Sequence, residues 1–452
     1  MSTVEELVSK SKEAQKQFEF ATQEQADAAA RAICKVVFDN AGKLGPMAAE
    51  ESRMGSAKDK IAKCRNKSAL IWQSLKDKKT VGVIARLEER RMLEVAKPMG
   101  VVAAVIPSTN PVVTPMGNAS AALKTRNSII FAPHPRAVKC TKLLVEMFQD
   151  EIEKLGLPRD LVLGLENVSI EDSSALMSAA DIVVATGGPG MVKAAYSSGK
   201  PSLGVGQGNV QCIVDADVDI EEAVKKIIIG RSFDNGLICL GEQTVFVLEN
   251  KFGEFIEAFK KNGGYYVSTP EDAEKLREGL FPEGGPISRD VVGLSAVEVG
   301  KLAGLEVPED TQVIGATASA VGAGDVLCRE KLCPVINIMT YQTFEEGVAK
   351  MVENLEYEGK GHSIGIHSNN SDHVEYAAIQ CSVSRVIVNQ PAGTTGGGSP
   401  MNGFTPTTTL GCGSWGNNSF SDNFNYKHLM NITRVGYSYE ESYLPDPEMA
   451  WE

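Results

Sequence analysis

Cys239 stands in the run Asp234-Asn-Gly-Leu-Ile-Cys-Leu-Gly-Glu-Gln243, between a stretch of helical spacing and a strand-like one at 244–248. A thiol on a glycine-flanked turn at a junction between elements can attack a carbonyl carbon while its own N–H meets the oxygen. A buried, inert cysteine is the commoner alternative, and the local run leaves both readings open. Ile106-Pro-Ser-Thr-Asn110-Pro follows an apolar run; the Asn110 amide could donate to a developing oxyanion or simply make a turn before proline. Asp181-Ile-Val-Val-Ala-Thr-Gly-Gly-Pro-Gly190 carries a strand into glycines and then a helix, an arrangement that bares N–H groups to a phosphate. Its spacing is not G-x-G-x-x-G, so a structural turn is an equal reading, and Gly204-Val-Gly-Gln-Gly-Asn209 is ambiguous in the same way.

The elements that must hold these residues follow from periodicity. Apolar residues at helical spacing predict helices over 4–18 and 25–40, the second stopped by Gly42, with the first packed on its own domain rather than serving as a targeting peptide. From about residue 90, short apolar runs alternate with amphipathic ones. Strands are expected at 101–106, 128–132, 160–165, 181–186 and 211–214, with a helix over 141–155. Asp219 with Glu222 opens the next helix, which ends near Gly230. A second region follows, with strands near 335–339, 363–367 and 385–389, and a helix from Thr343 between the first two. This β-α-β pattern predicts an α/β fold of parallel sheets whose ligands bind at the carboxyl ends of the strands. A domain boundary is placed near residue 233. The Gly-, Thr-, Ser-, Asn- and Pro-rich stretch 390–418 is too long for a simple connection and reads as an ordered loop lining a site.

Composition narrows the classes. A chain of 452 residues exceeds what one core fills, so at least two domains are expected. No apolar run is long enough to span a bilayer, and the start lacks a secretion signal. With 45 basic against 58 acidic residues and a net charge of −13, nucleic acid is excluded as a partner. Nine scattered cysteines without a C-x-x-C pair, and only five histidines, fit reduced thiols in the cytoplasm better than disulfides or a metal site.

Taken in order, the segments Pro107-Ser-Thr-Asn-Pro111, Phe131-Ala-Pro-His-Pro135, Thr186-Gly-Gly188, Ala194-Ala-Tyr-Ser-Ser-Gly199, Asp234 to Gln243, Glu330-Lys-Leu-Cys-Pro-Val335 and Thr409-Leu-Gly-Cys-Gly-Ser-Trp-Gly416 resemble the CoA-acylating aldehyde dehydrogenases over nearly the whole chain. Within that family the chain looks most like the succinate-semialdehyde branch, then the acetaldehyde dehydrogenase half of bifunctional aldehyde-alcohol enzymes. The resemblance implies a Rossmann-type cofactor domain over 1–233, including an oligomerisation hairpin near 90–100. It also implies an α/β catalytic domain over 234–420 and a segment, 421–452, returning to the cofactor domain and a subunit interface. Cys239 matches the family nucleophile and Asn110 the oxyanion donor. Glu330 matches the glutamate that holds the nicotinamide ribose, with Leu332 where the wider superfamily has phenylalanine. Thr186, Gly187 and Gly188 match the turn beside the nicotinamide and pyrophosphate, and Pro133, His134 and Arg136 fall where the adenosine ribose is contacted.

Two departures from hydrolytic relatives matter. Their water-activating glutamate is missing from Gly204-Val-Gly-Gln-Gly, which favours transfer of the acyl group to coenzyme A. The glutamate that contacts the adenosine ribose is missing too, which admits NADP as well as NAD, with Arg136 or Lys139 to meet a 2′-phosphate. His362 and Thr109 are candidate substrate contacts. His367 reads as structural, and Arg231 and Arg385 as ion-pair residues, with a substrate carboxylate as the alternative partner. No metal is expected. The implied activity joins an aldehyde, CoA and NAD(P)+ to acyl-CoA and NAD(P)H, with succinate semialdehyde first and acetaldehyde or sulfoacetaldehyde next, in a homodimer or homotetramer. A noncatalytic scaffold subunit is the competing class, and loss of the thiol or the cofactor turn would have favoured it.

Overall fold

The computed structural model describes residues 3–444 and 446–451. It opens with four helices, Val4–Phe18, Gln23–Asp39, Ala41–Ser52 and Ala57–Leu75. Thr3 with Glu6 and Thr22 with Gln25 form capping boxes that satisfy the free N–H groups of the first two. Ala26, Ala29, Ala30, Ile33 and Val37 line one buried face of the second, as the spacing predicts. Gly42 is no stop. Asn40 ends the second helix, and the chain turns at once into the third, which carries Gly42 in its first turn. A helical glycine costs about 1 kcal/mol against alanine, less than burial of Leu44 and Ala48 in the core returns.

A five-stranded parallel sheet runs in the order Val162–Gly164, Ser128–Pro133, Val101–Ile106, Ile182–Thr186, Ser202–Val205. Alternate residues of its central strand face opposite layers. Val102, Ala104 and Ile106 join the cluster that holds the helix Val113–Lys124, while Val101, Ala103 and Val105 join the one that holds Val4, Leu7 and Val8 of the first helix. Burial on both faces is why this strand reads as an unbroken apolar run. The first helix therefore packs on its own domain.

The second parallel sheet has seven strands, ordered Gly264–Tyr266, Val313–Ala316, Val335–Tyr341, Glu242–Leu248, Val210–Val214, Ile364–His367, Val386–Val388. Val210–Val214 was expected with the first sheet; it lies instead between Glu242–Leu248 and Ile364–His367 of the second. The helix Ile220–Ser232 goes with it, packing Ile227 and Ile228 near Val245 and Val247. The chain thus passes between sheets at 206–209, well before residue 233. An apolar run specifies a buried strand, but long-range packing chooses its sheet. Gly82–Leu87, Met92–Pro98 and Met430–Gly436 form a separate antiparallel sheet, in which Met430–Gly436 pairs with Met92–Pro98. Among the described residues no helix is long and apolar enough to cross a membrane.

Candidate active site

Cys239 follows a left-handed turn in which Asp234, Asn235 and Gly236 have φ of 52°, 54° and 69°. Two non-glycine residues in that region cost about 1–2 kcal/mol each. They are held by the Asp234 carboxylate, which accepts from Ser56 N–H, and by the Asn235 amide, which donates to the Gly293 carbonyl. The turn delivers Cys239 to a cavity of about 500 Å³ that Asn110, Lys63, Lys67 and the 393–410 stretch also line. All nine cysteines are free, and Cys239 alone among them is not fully buried.

The His362 Nε2 lies 3.3 Å from the Cys239 sulfur. Burial, reinforced by the Arg385 guanidinium, holds the His362 pKa well below the ordinary imidazole range, so the ring is neutral near pH 7. Burial, with Glu330 and Cys412 nearby, pushes the Cys239 thiol up to about 12, while Arg385 pulls the other way. A neutral imidazole facing a protonated thiol is a base in position to take its proton. Arg385 is itself fastened, donating to the His362 and Gly411 carbonyls at 2.8 Å each and to Ser363 Oγ at 3.0 Å. It tunes the site from behind.

Asn110 faces the same cavity, its Oδ1 accepting from Lys63 Nζ at 2.6 Å. Thr109 does not line it; its carbonyl accepts from Lys60, and it lines a smaller cavity together with Asn110, Lys60 and Lys63. Gly208 packs against the nucleophile so closely that a Cβ there would lie 2.1 Å from the Cys239 carbonyl oxygen.

Of the expected cofactor residues, Thr186 and Pro133 end strands, while Glu330 and Leu332 lie in the loop before Val335–Tyr341. Glu330 is buried near the thiol and takes the Gly208 N–H; burial and Glu358 raise its carboxyl to about 8. Leu332, at φ 45°, fixes the next turn through its carbonyl, which accepts from Gly293 N–H. Thr186 ends its strand 3.4 Å from Thr409 Oγ1, and Gly188 caps the helix Pro189–Tyr196, with open space where a Cβ would project. Pro133 ends its own strand, and His134 accepts the Arg136 N–H at 3.0 Å. Burial lowers the His134 pKa, and the charges of Arg136 and Arg289 lower it further. Open backbone at a helix start, a carboxyl beside the thiol and two cations at the outer strand end fit a dinucleotide.

Sequence reasoning passed over Lys63 and Lys67. Lys60, Lys63 and Lys67 recur at helical spacing, which places three cations on one face, but periodicity alone reads them as a solvated surface. Arg231 is not a substrate contact: it is fully buried and donates to the Val335 and Cys333 carbonyls.

A single open thiol facing an imidazole between two parallel-sheet domains is the arrangement of an enzyme that works through a covalent thiol intermediate. Residues 1–272 match the aldehyde dehydrogenase family model. The succinate-semialdehyde dehydrogenase (acetylating) of Clostridium kluyveri is 50% identical, with 99% of each chain covered. An acetylating aldehyde dehydrogenase from Geobacillus thermoglucosidasius superposes with a TM-score of 0.94 at 36% identity, covering 97% of each chain. A Rhodopseudomonas palustris propionaldehyde dehydrogenase, solved with bound CoA and an acylated cysteine, gives 0.86 at 27% identity, again covering 97% of each. The chain belongs to the aldehyde dehydrogenase family, in its CoA-acylating branch.

Proposed function

We propose that the protein interconverts succinate semialdehyde, CoA and NAD(P)+ with succinyl-CoA and NAD(P)H through a thioester on Cys239. The observation that carries this reading is the cavity itself, in which the accessible thiol faces a neutral imidazole and shares its walls with an ammonium lacking a counter-charge. That ammonium is Lys67. It donates to the Gly397 and Gly398 carbonyls at 2.7 and 3.3 Å, and among the described residues no carboxylate pairs with it. Burial, and then the charge of Lys63, bring its pKa down to about 8. A substrate carboxylate supplies the missing negative charge and selects an anionic aldehyde. The 50% identity to a succinate-semialdehyde enzyme supports the same choice.

In the oxidative direction His362 takes the thiol proton as Cys239 attacks the aldehyde carbon. The Asn110 amide and the Cys239 N–H then hold the thiohemiacetal oxyanion. A bound nicotinamide would supply the hydride acceptor for this oxidation, which leaves the acyl group on Cys239 as a thioester. Glu330, Thr186, Gly187 and Gly188 would hold the cofactor's ribose and phosphates, with Leu332 at the neighbouring turn. Pro133, His134 and Arg136 would meet its adenosine end, where Arg136 and Arg289 would accommodate a 2′-phosphate. The Glu330 carboxyl is largely protonated at pH 7 and is a poor base for water, so the thioester waits for the CoA thiol. Exchange of thioester for thioester makes the acyl transfer to CoA reversible. The exposed Val83 and Val435 of the three-stranded sheet, with Tyr437 just beyond it, fit a homo-oligomer, and nine free thiols fit the cytoplasm.

Cys239→Ala abolishes turnover in both directions with the fold retained. In the unaltered protein, rapid quench during turnover and intact-mass analysis find a succinyl adduct on the Cys239 peptide. An adduct elsewhere, or free succinate as the main product at saturating CoA, overturns the reading. Running acetaldehyde and sulfoacetaldehyde beside succinate semialdehyde, with each nicotinamide cofactor, ranks the substrates and the cofactors.

A further inference from the structure

Asn110 is an amide, and an amide is ambiguous: it can present either its NH2 donors or its oxygen to the reacting carbonyl. Only the donors stabilise an oxyanion. The side chain that decides between them is Lys63, whose Nζ lies 2.6 Å from Asn110 Oδ1. An ammonium has donors and no acceptor, so the amide can meet it only with its oxygen, whichever way the side chain is first drawn. The Nδ2 hydrogens are then directed away from Lys63.

Lys63 is itself anchored. Its ammonium lies 2.5 Å from the buried Asp234 carboxylate, which also holds Lys60 at 3.0 Å. Asp234 belongs to the left-handed turn that presents Cys239, and its N–H donates to Asp59 on the same helix as both lysines. The nucleophile's turn and the oxyanion donor are therefore tied to one ammonium. Lys63, Asn110 and Cys239 line the same cavity.

We propose that Lys63 is the positioning residue of the oxyanion site, pinning the Asn110 amide by its oxygen so that its NH2 group faces the thiohemiacetal, and lending that group positive charge. A charge-assisted bond to the amide oxygen polarises the amide and makes its N–H a stronger donor. The benefit arises only as negative charge develops on the substrate oxygen, so it belongs to turnover and not to ground-state binding. The inference rests on the aldehyde–thioester reading of the cavity.

The test is a double-mutant cycle on the full chain with succinate semialdehyde, CoA and both nicotinamide cofactors. Lys63→Met is expected to lower kcat by about 10- to 100-fold and to change the aldehyde KM by less than about threefold. Lys63→Gln, which keeps a donor toward Asn110 but no charge, falls between Lys63→Met and the parent. Combined with Asn110→Ala, Lys63→Met adds no further loss, because the amide it orients is gone. Full kcat in Lys63→Met, or single-variant losses that simply multiply in the double variant, overturns the proposal. If Lys63→Met does not fold, Lys63→Gln and its cycle with Asn110→Ala decide alone by the same criteria. Iodoacetamide labelling of Cys239 and the quenched adduct are followed in parallel. Their absence in the parent protein sinks the thioester reading, whereas their presence with an additive cycle sinks only the role of Lys63.

Discussion

Lys67 has a pH signature. Its pKa is lowered to about 8, so it is cationic below that pH and neutral above it. The KM for succinate semialdehyde should hold steady to about pH 7.5 and climb beyond about pH 8, while that for a neutral aldehyde of similar length stays flat. Lys67→Met should raise the KM for the anionic aldehyde about 10- to 100-fold at pH 7 and leave the neutral one unchanged; steady-state kinetics across pH 6–9 reads both effects. Equal losses for both aldehydes would place the ammonium outside substrate recognition. The chemistry-bearing residues were unevenly legible at this scale. Cys239 was visible as a thiol on a glycine-flanked turn, and the family resemblance supplied Asn110 and His362. Lys67 was not, because a lysine on an amphipathic helix looks solvated until the 390–418 stretch is seen to fold over it. Thr109, adjacent to Asn110 in sequence, does not line the main cavity but shares a smaller one with Asn110.

The connection at 206–209 hands the chain from one sheet to the other and passes directly under the nucleophile. Gly208 has no room for a side chain, since a Cβ would lie 2.1 Å from the Cys239 carbonyl oxygen and 2.9 Å from its Cβ. Gly208→Ala is therefore expected to displace the thiol and cut kcat by about 100-fold or more, as misplacement by an ångström does. Its melting temperature should fall by only a few degrees, because the connection lies outside the main apolar clusters. Circular dichroism melts alongside turnover check this, and near-normal kcat would mean that the backbone there yields. Element type was plain in the sequence for the long periodic helices and the doubly buried strands. Sheet membership was not: Val210–Val214 has the same apolar character as the strands of the first sheet, and only its hydrogen bonds to Thr244–Val247 and Ile364–His367 reveal its partners.

The antiparallel sheet is anchored beside the five-stranded one, where Arg126 donates to the Ala96 carbonyl. Met430–Gly436 pairs along the whole of Met92–Pro98, and the Leu429 carbonyl accepts from the buried Asn127 amide at 2.9 Å. Ending the chain after Leu429 leaves Met92–Pro98 as an open edge, and size-exclusion chromatography should show loss of the native oligomer or aggregation. Unchanged elution and activity would show that the pairing is dispensable. The same pairing bears on how the chain is made. Translation produces the first hairpin more than 300 residues ahead of the strand that covers it, and the cavity wall at 393–410 also comes late. A nascent polypeptide consequently waits through most of its synthesis with an unpaired β-edge, and from residue 239 to 410 with a half-walled thiol, windows in which chaperones and oxidants have their best access to it.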